Sequence, residues 1–207
     1  MSTDFDARFA EPGFAYGAEP NDFLVECASY LPKGPVLCLA EGQGRNAVFL
    51  AARGHDVVAV DRSSVGLARA SDLARERGVP LTCVLSDLDD YAVESGAWAG
   101  IVSVFAHVPV ELRERVHRKV VQGLMPGGVF ILEGYSTAQL GRATGGPKVI
   151  SLLLTLDAVR SELSGLEFIV AREAEREVME GRYHTGRAAV VQVLARRSTV
   201  SPQGSRE

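Results

Sequence analysis

Short apolar runs alternate along the chain with longer amphipathic segments. Runs rich in β-branched residues predict strands, and apolar positions spaced three or four residues apart predict helices. The predicted strands cover residues 35–40, 57–61, 80–86, 100–105, 128–134, 166–175 and 187–196. The predicted helices cover residues 21–30, 45–53, 64–78, 110–122 and 149–164. This alternation predicts an α/β fold with a mostly parallel sheet and helices on both faces.

The last two predicted strands are joined by a turn around residues 180–186, which leaves no room for a helix. These strands must therefore pair antiparallel, so the sequence predicts a seven-stranded sheet closed by a C-terminal antiparallel strand hairpin. Residues 1–12 are predicted to form a flexible N-terminal arm and residues 13–197 a single domain. Residues 198–207 are predicted to be a disordered tail.

A glycine loop follows the first predicted strand. Gly42 and Gly44 lack a Cβ atom, so the backbone can turn sharply and lie against a ligand, while the loop opens a helix with free N–H groups. Asp61 comes 19 residues after Gly42, at the end of the next predicted strand. An acid in that position can accept hydrogen bonds from ribose hydroxyls, so the unit predicts a site for a nucleoside-containing cofactor.

Two cofactors fit this spacing. Gly42-x-Gly44-x-x-Ala47 also satisfies the dinucleotide fingerprint, which leaves an NAD(P)-dependent oxidoreductase as an alternative. The carboxylate of Glu41 would repel a pyrophosphate, but it suits the ammonium and sulfonium of S-adenosylmethionine. The closing hairpin and the lack of a Tyr-x-x-x-Lys pair also oppose the oxidoreductase. A non-catalytic protein that binds S-adenosylmethionine is a further alternative.

Residues 34–63 resemble motifs I and II of class I S-adenosylmethionine-dependent methyltransferases, and Gly44-Arg45-Asn46 is similar to the tellurite-resistance-type branch. The resemblance covers about residues 14–197. It implies a Rossmann-like fold and S-adenosyl-L-methionine as cofactor, with S-adenosyl-L-homocysteine as product. The chain departs from the family pattern at Cys38, where an acid is usual, and at Glu41, where a cysteine is frequent.

The resemblance also implies cofactor contacts beyond the glycine loop. In the family, an acid after the third strand bonds the adenine amino group and the next residue packs on the ring, and Asp87 and Leu88 match these positions. Phe105 follows the fourth strand and would wall the cofactor, and Tyr16 would belong to a lid. The alternative for Asp87 is a turn cap, and for Tyr16 ordinary packing.

Two polar residues open the helix after the glycine loop. Arg45 either reaches the cofactor carboxylate or pairs with Glu41, and Asn46 either bonds the cofactor or caps the loop. His107 is the predicted general base, with a helix cap as its alternative. The complete predicted set of cofactor contacts is Tyr16, Glu41, Gly42, Gly44, Arg45, Asn46, Asp61, Arg62, Asp87, Leu88 and Phe105.

Three further polar features of the sequence could lie at the surface or beside the site. The cluster around Arg176, Tyr183 and His184 is interpreted as a solvated turn in preference to a polar pocket. The glycine loop at residues 144–148 is either a mobile substrate lid or a connector. His117 is predicted to be exposed among the charges of its helix.

Composition restricts the partners. The formal net charge of −4 offers no basic face, which excludes nucleic acid, and no apolar run approaches the roughly 20 residues of a membrane helix. The three cysteines and four histidines lack metal-ligand spacing, so no metal is predicted, and the thiols fit a reducing cytoplasm. We expect a cytoplasmic monomer or weak homodimer. The branch resemblance suggests a small-molecule methyl acceptor such as a thiol or other soft nucleophile.

Overall fold

The structure, a computed structural model, describes residues 4–199. Its strands are β1 Pro35–Leu39, β2 Asp56–Asp61, β3 Thr82–Leu85, β4 Trp98–Val104, β5 Leu124–Tyr135, β6 Leu166–Glu180 and β7 His184–Arg197. They form one sheet in the order β3-β2-β1-β4-β5-β7-β6. The first five strands pair parallel, and β7 pairs antiparallel with both β5 and β6. The predicted fold class is confirmed.

The helices are α1 Phe5–Ala10, α2 Asp22–Cys27, α3 Arg45–Ala52, α4 Ser64–Glu76, α5 Val110–Gly123 and α6 Leu156–Glu162. Short 3-10 turns cover Ala28–Tyr30, Thr137–Gln139 and Ile150–Leu152. Four of the helices begin at a polar cap whose side chain accepts a backbone N–H of the first turn. These caps are Asp4 for α1, Asn21 for α2, Ser63 for α4 and Thr155 for α6.

The apolar strands are buried on both faces of the sheet. In β1, Val36 and Cys38 pack with α2, α3 and α4, whereas Leu37 and Leu39 pack with α5 and α6. A strand covered by helices on both faces has no polar side, which explains why β1 is a continuous apolar run in the sequence. The core therefore consists of two layers, with β1 and β4 adjacent in the middle of the sheet.

The C-terminal hairpin extends further than its predicted limits. Its pairing runs from Leu166 opposite Arg197 to Glu180 opposite His184, and Val190 of β7 pairs with Tyr135 at the end of β5. The hairpin turn at residues 181–183 therefore projects past the carboxyl ends of the parallel strands. The preference for a solvated turn is wrong for this cluster, because the side chains that flank the turn are buried.

Some local expectations are also wrong. The predicted helix over residues 149–164 is a 3-10 turn followed by α6, because Leu154 is extended and bridges to Ser136 between them. His117 is buried, because its ring nitrogen Nδ1 lies 2.7 Å from Glu162 of α6. The sequence analysis also missed α1, which lies inside the predicted flexible arm. The predicted tail lies outside the described residues except for residues 198 and 199, and the single-domain boundary stays a prediction.

A substitution of Gly44 tests how closely the glycine loop packs against α4. Its φ is +91°, and a Cβ atom there would lie 2.6 Å from Cβ of Ala70 and 2.7 Å from its Cα. We expect Gly44→Ala to lower the free energy of unfolding by roughly 2–5 kcal/mol in urea denaturation, since left-handed strain and overpacking add.

Gly54→Ala is the matched control for that measurement. Gly54 has a φ of +86°, but a Cβ atom there would meet nothing within 4 Å. Only the backbone strain remains, so we expect a loss of roughly 1–2 kcal/mol. Equal losses in the two variants would show that contact with Ala70 does not restrict Gly44.

Candidate functional site

The carboxyl ends of the parallel strands meet at one edge of the sheet. The glycine loop follows β1, Asp61 ends β2, Phe105 follows β4 and Tyr135 ends β5. Ligands of open α/β sheets bind outside this edge. The structure therefore brings the predicted glycine loop, Asp61 and Phe105 to one place.

Asp61 holds the glycine loop against the start of α4. It is 8% exposed, and its Oδ2 accepts the N–H of Gly42 while its Oδ1 accepts the N–H of Ser63, both at 2.8 Å. Burial raises the pKa of Asp61 from its ordinary value, and these two hydrogen bonds oppose that shift. Each carboxylate oxygen keeps a second lone pair, so Asp61 can still accept a hydrogen bond from a ligand hydroxyl.

Glu41 caps α3 from the loop. Its Oε1 accepts the N–H groups of Asn46 at 2.9 Å and Ala47 at 2.8 Å, at the positive end of the helix. Burial and the neighbouring carboxyl of Glu41 raise the pKa of the Cys38 thiol well above its ordinary value. The loop acid thus reaches the position of Cys38, where the resembling family usually has its acid. Burial raises the pKa of Glu41 from 4.5 to about 7.

Arg45 and Asn46 take part in a buried network instead of pointing at the loop. Arg45 pairs with Glu180 at 2.5 Å and not with Glu41, and the Oδ1 of Asn46 accepts the N–H of Asn21 at 2.9 Å. The side chain of Asn21 donates in turn to Glu133 and Glu180. A buried guanidinium needs a partner, and the carboxylate of Glu180 provides it.

The remaining predicted contacts lie at the rim of the site. The Cα of Gly44 faces α4, so this glycine serves helix packing at that position. Arg62 lies over the ring of Phe5, with 5.7 Å between its guanidinium carbon and the ring centroid. Asp87 accepts the N–H of Asp89 at 3.0 Å, which is the turn-capping alternative, and Leu88 packs against the core.

Helix α1 covers the glycine loop. Phe9 is 3% exposed, and a Cβ atom on Gly42 or Gly66 would come within 2.9 Å of its ring. Asp6 accepts the hydroxyl of Ser63, beside Asp61. Sequence reasoning missed this contact, although Phe5 and Phe9 stand four residues apart on one helix face, after a capping Asp4.

Five rings form an aromatic cluster at the ends of β4, β5 and β7. Its members are Tyr16, Phe105, His107, Tyr135 and His184. The ring centroid of His184 lies 4.4 Å from that of Tyr16, 4.6 Å from that of Phe105 and 5.1 Å from that of Tyr135. Phe105 has a φ of 53°, which is strained for a bulky residue and turns the chain at the end of β4.

The structure does not support His107 as a general base. Its Nδ1 bonds the carbonyl of Leu152 at 2.8 Å, so Nδ1 carries the proton, and its Nε2 accepts the N–H of Tyr135 at 3.3 Å. Both ring nitrogens are therefore engaged. Burial lowers the pKa of His107 from 6.5 to about 4. The ring joins the β4 and β5 ends to the segment before α6.

His184, unlike His107, has a ring nitrogen without a hydrogen-bond partner among the described residues. The sequence alone favours a solvated turn at this residue. It is 8% exposed at the first position of β7, and its Nδ1 has no hydrogen-bond partner among residues 4–199. Burial, with the nearby charges of Arg45, Arg8 and Arg176, lowers its pKa from 6.5 to about 2. The imidazole is therefore neutral, with an unused nitrogen inside the aromatic cluster.

The glycine loop at residues 144–148 and the segment around Tyr16 pack closely on this cluster. A Cβ atom on Gly145 would lie 2.3 Å from the carbonyl oxygen of Tyr183, and one on Gly146 would lie 2.6 Å from the ring of Tyr135. A Cβ atom on Gly181 would lie 2.4 Å from the backbone nitrogen of Gly17. The loop at residues 144–148 and the Tyr16 segment thus form the outer walls of the cluster.

Two clefts border the site. One of about 460 Å³ lies between the Tyr16–Pro20 segment and Glu177–Glu180 of β6, and one of about 220 Å³ lies between α1 and the Arg62-Ser63 pair. The described part of the chain contains no cluster of side chains suited to a metal ion. It also contains no helix that is long and apolar enough to cross a membrane.

Comparison with known proteins agrees with this geometry. The family profile described as "Methyltransferase domain" matches residues 36–128, from β1 to the turn before the apolar part of β5. The 2-heptyl-1-hydroxyquinolin-4(1H)-one methyltransferase of Mycobacteroides abscessus is 28% identical over 145 residues, which are 69% of this chain and 64% of that protein. These matches support the predicted recognition as a class I S-adenosylmethionine-dependent methyltransferase.

A second group of relatives has a different activity in its name. Carboxy-S-adenosyl-L-methionine synthase of Geobacter metallireducens is 29% identical over 126 residues, which are 56% of this chain and 51% of that protein. The chain thus spans less than two thirds of the length of the curated relatives it matches. Identity at this level supports the family and its cofactor, which confirms the predicted recognition.

Solved structures show the same methyltransferase fold. A protein studied in the conversion of a disulfide bond into a thioacetal group during echinomycin biosynthesis superposes with a TM-score of 0.74 at 18% identity, covering 96% of this chain and 92% of that one. TehB from Haemophilus influenzae superposes with a TM-score of 0.72 at 19% identity, covering 86% and 62%. These likenesses concern the fold alone.

The bonded state of His107 leads to a stability prediction. His107→Ala would leave the carbonyl of Leu152 and the N–H of Tyr135 without partners, so we expect a loss of roughly 2–4 kcal/mol in urea denaturation. His55→Ala, in the turn before β2, is the control and should change stability by less than about 1 kcal/mol. Similar small losses in both variants would contradict the structural role of His107.

Proposed function

We propose that this chain transfers the methyl group of S-adenosylmethionine to a small-molecule acceptor with a readily ionised nucleophile, either a thiol or an acidic hydroxyl. The observation that carries the proposal is the position of the glycine loop and Asp61 beside the aromatic cluster, at one edge of a methyltransferase sheet.

The described residues fit the chemistry of the cofactor. Asp61 would accept the ribose hydroxyls, and Glu41 would face the positive end of the methionine part. Gly42 has no side chain, so the cofactor could approach its backbone closely in place of the Phe9 ring. Asp87 and Leu88 would border the adenine and Tyr16 would complete the lid, as the family resemblance implies. Because α1 lies over Gly42, we propose that it shifts when the cofactor is admitted.

The chain's own residues mainly orient and shield the reactants. The bound cofactor supplies an activated methyl group on a sulfonium, so catalysis requires the nucleophile to be held in line with it. His107 has no free nitrogen, and burial keeps His184 neutral. A weakly basic site suits a nucleophile that ionises readily, since such an acceptor needs little help from a base.

The acceptor class rests on the walls of the site and on related proteins. Aromatic rings from three strands line the cluster, which suits an apolar or planar molecule. The Mycobacteroides relative is named for an N-hydroxyquinolone, and the branch resemblance suggests thiols or other soft nucleophiles. We further propose a cytoplasmic monomer or weak homodimer that acts on neither nucleic acid nor membranes.

Cofactor choice is tested by isothermal titration of the chain with S-adenosylmethionine, S-adenosylhomocysteine and NAD. We expect binding of the first two and none of NAD. Asp61→Asn should weaken S-adenosylmethionine binding by roughly 1–3 kcal/mol, whereas Asp56→Asn at the exposed start of β2 should leave it unchanged. Binding of NAD alone would contradict the proposal. Binding of S-adenosylmethionine without turnover of any acceptor would favour the non-catalytic alternative.

The ionisation of Glu41 should make cofactor binding depend on pH. The carboxyl has a pKa of about 7, and a cationic ligand favours its ionised form, so the complex releases a proton. The affinity for S-adenosylmethionine should therefore rise roughly tenfold between about pH 5.5 and about pH 7, below the range in which an α-amino group titrates.

Glu41→Gln provides the control for this pH dependence. The amide keeps the size of the side chain but cannot ionise, so titration calorimetry should find a weaker and nearly constant affinity over the same range. An unchanged rise of affinity in the Gln variant would assign the pH dependence to another group and remove Glu41 from the cofactor site.

A further inference from the structure

The unpartnered nitrogen of His184 is the feature that the cofactor site leaves unexplained. The side chain is more than nine-tenths buried, and its Nδ1 lacks a hydrogen bond among the described residues. An unsatisfied buried polar atom destabilises the folded state, so such atoms are rare in native proteins and call for a reason. The hydroxyls of the two neighbouring tyrosines are bonded elsewhere, since that of Tyr16 accepts from Arg8 and that of Tyr135 donates to the carbonyl of Thr144.

We infer that the aromatic cluster is the acceptor subsite and that Nδ1 of His184 accepts the hydrogen bond of the acceptor's acidic O–H or S–H group. This inference rests on the proposed function and names the substrate class of the same site. The acceptor is an aromatic molecule whose ring packs against Phe105 and Tyr135 and whose nucleophilic atom points to His184.

The charges around His184 select the same class of molecule. Arg45, Arg8 and Arg176 lie close enough to disfavour a charged imidazolium, so the free protein offers a neutral ring with a lone pair. Glu133 and Glu180 neutralise Arg45 and Arg176, but Arg8 has no ion-pair partner among residues 4–199. The charge of Arg8 therefore favours an anion nearby, such as a phenolate, an N-oxide anion of an N-hydroxy group, or a thiolate. A cationic amine acceptor would meet repulsion from the charge of Arg8.

His184 lies close to the glycine loop, where the cofactor is proposed to bind. Arg45, the residue after the last loop glycine, pairs with Glu180, and Glu180 lies directly opposite His184 in the hairpin register. Phe105, at the end of β4, contacts His184 and belongs to the strand adjacent to β1. The cluster and the glycine loop are therefore neighbours along the same sheet edge.

The reaction balances without any further reagent. A bond forms between the acceptor oxygen or sulfur and the methyl carbon, and the bond between that carbon and the sulfonium sulfur breaks to give the neutral thioether. The proton of the acceptor passes from its hydrogen bond with Nδ1 to solvent. His184 holds the hydrogen and orients the nucleophile during this exchange, and no oxidant, reductant or metal takes part.

The outer walls of the cluster are the segments that must separate to admit the acceptor. The rings touch one another, so a planar molecule can enter only if the Tyr16 segment or the loop at residues 144–148 moves outward. Hydrogen bonds from Gln139 to Thr144 and Gly145 hold the loop, and hydrogen bonds of the Ala15 backbone with Gln43 and Arg182 hold the Tyr16 segment. The cleft of about 460 Å³ beside Tyr16 gives access from that side.

The first test compares two replacements of His184 with labelled S-adenosylmethionine and three probes: 2-heptyl-1-hydroxyquinolin-4(1H)-one, 1-naphthol and 2-naphthalenethiol. His184→Phe keeps a ring and removes the lone pair, and His184→Asn keeps a hydrogen-bond acceptor. We expect kcat/KM to fall about tenfold or more in the Phe variant and less in the Asn variant. The affinity for S-adenosylmethionine should stay within about threefold in both.

His55→Phe and His55→Asn are the matched controls, since His55 lies in the turn before β2. Turnover of the Phe variant equal to that of the wild type would overturn the inference while leaving the proposed function intact. Failure of the wild type to bind S-adenosylmethionine would instead overturn the proposed function. A parallel loss of cofactor affinity in the His184 variants would assign His184 to the cofactor and would also overturn the inference.

The second test reads His184 directly and does not need turnover. In the protein with ¹⁵N-labelled histidine and bound S-adenosylhomocysteine, adding a probe should shift the Nδ1 resonance of His184 and leave those of His55 unchanged. The analogue of the quinolone that lacks the N-hydroxyl should cause a smaller shift. No shift with any of the three probes would overturn the inference.

Discussion

A buried cluster of four charges holds the carboxyl edge of the sheet together. Glu133 at the end of β5 and Glu180 at the end of β6 are almost fully buried, and Arg176 bridges them at 2.5 and 2.7 Å. Arg45 at the start of α3 completes the cluster through Glu180. The charges balance within the cluster, so each depends on the others. Removing one partner from such a cluster leaves an uncompensated buried charge and costs about 3–5 kcal/mol.

This cluster sets the geometry of the site. It joins the hairpin turn to the helix that the glycine loop opens, and Asn21 adds the N-terminal segment by donating to both glutamates. His184 stands opposite Glu180 in the hairpin register, so the ion pair of Glu180 with Arg45 links His184 to the helix that follows the loop. The same buried charges thus hold both the proposed cofactor region and the proposed acceptor region.

Local patterns explain what could be predicted from the sequence. The strands, the closing hairpin, the glycine loop and Asp61 at the end of β2 follow from contiguous segments and short spacings, and the structure reproduces them. The partners of Arg45 and Asn46 could not be predicted in this way, because Arg45 meets Glu180 135 residues later in the chain. The turn around His184 is polar in sequence, and only long-range pairing with β5 and the N-terminal segment buries it.

The two histidines of the aromatic cluster show why burial alone does not identify a functional residue. Burial lowers the pKa of both, yet His107 has a donor and an acceptor for its two nitrogens, whereas His184 keeps one nitrogen unused. A satisfied buried ring stabilises the fold, and an unsatisfied one carries a free-energy cost that a ligand can relieve. The same lowered basicity makes His184 a weak proton acceptor. An acceptor that is acidic by itself is therefore the one that such a site can methylate.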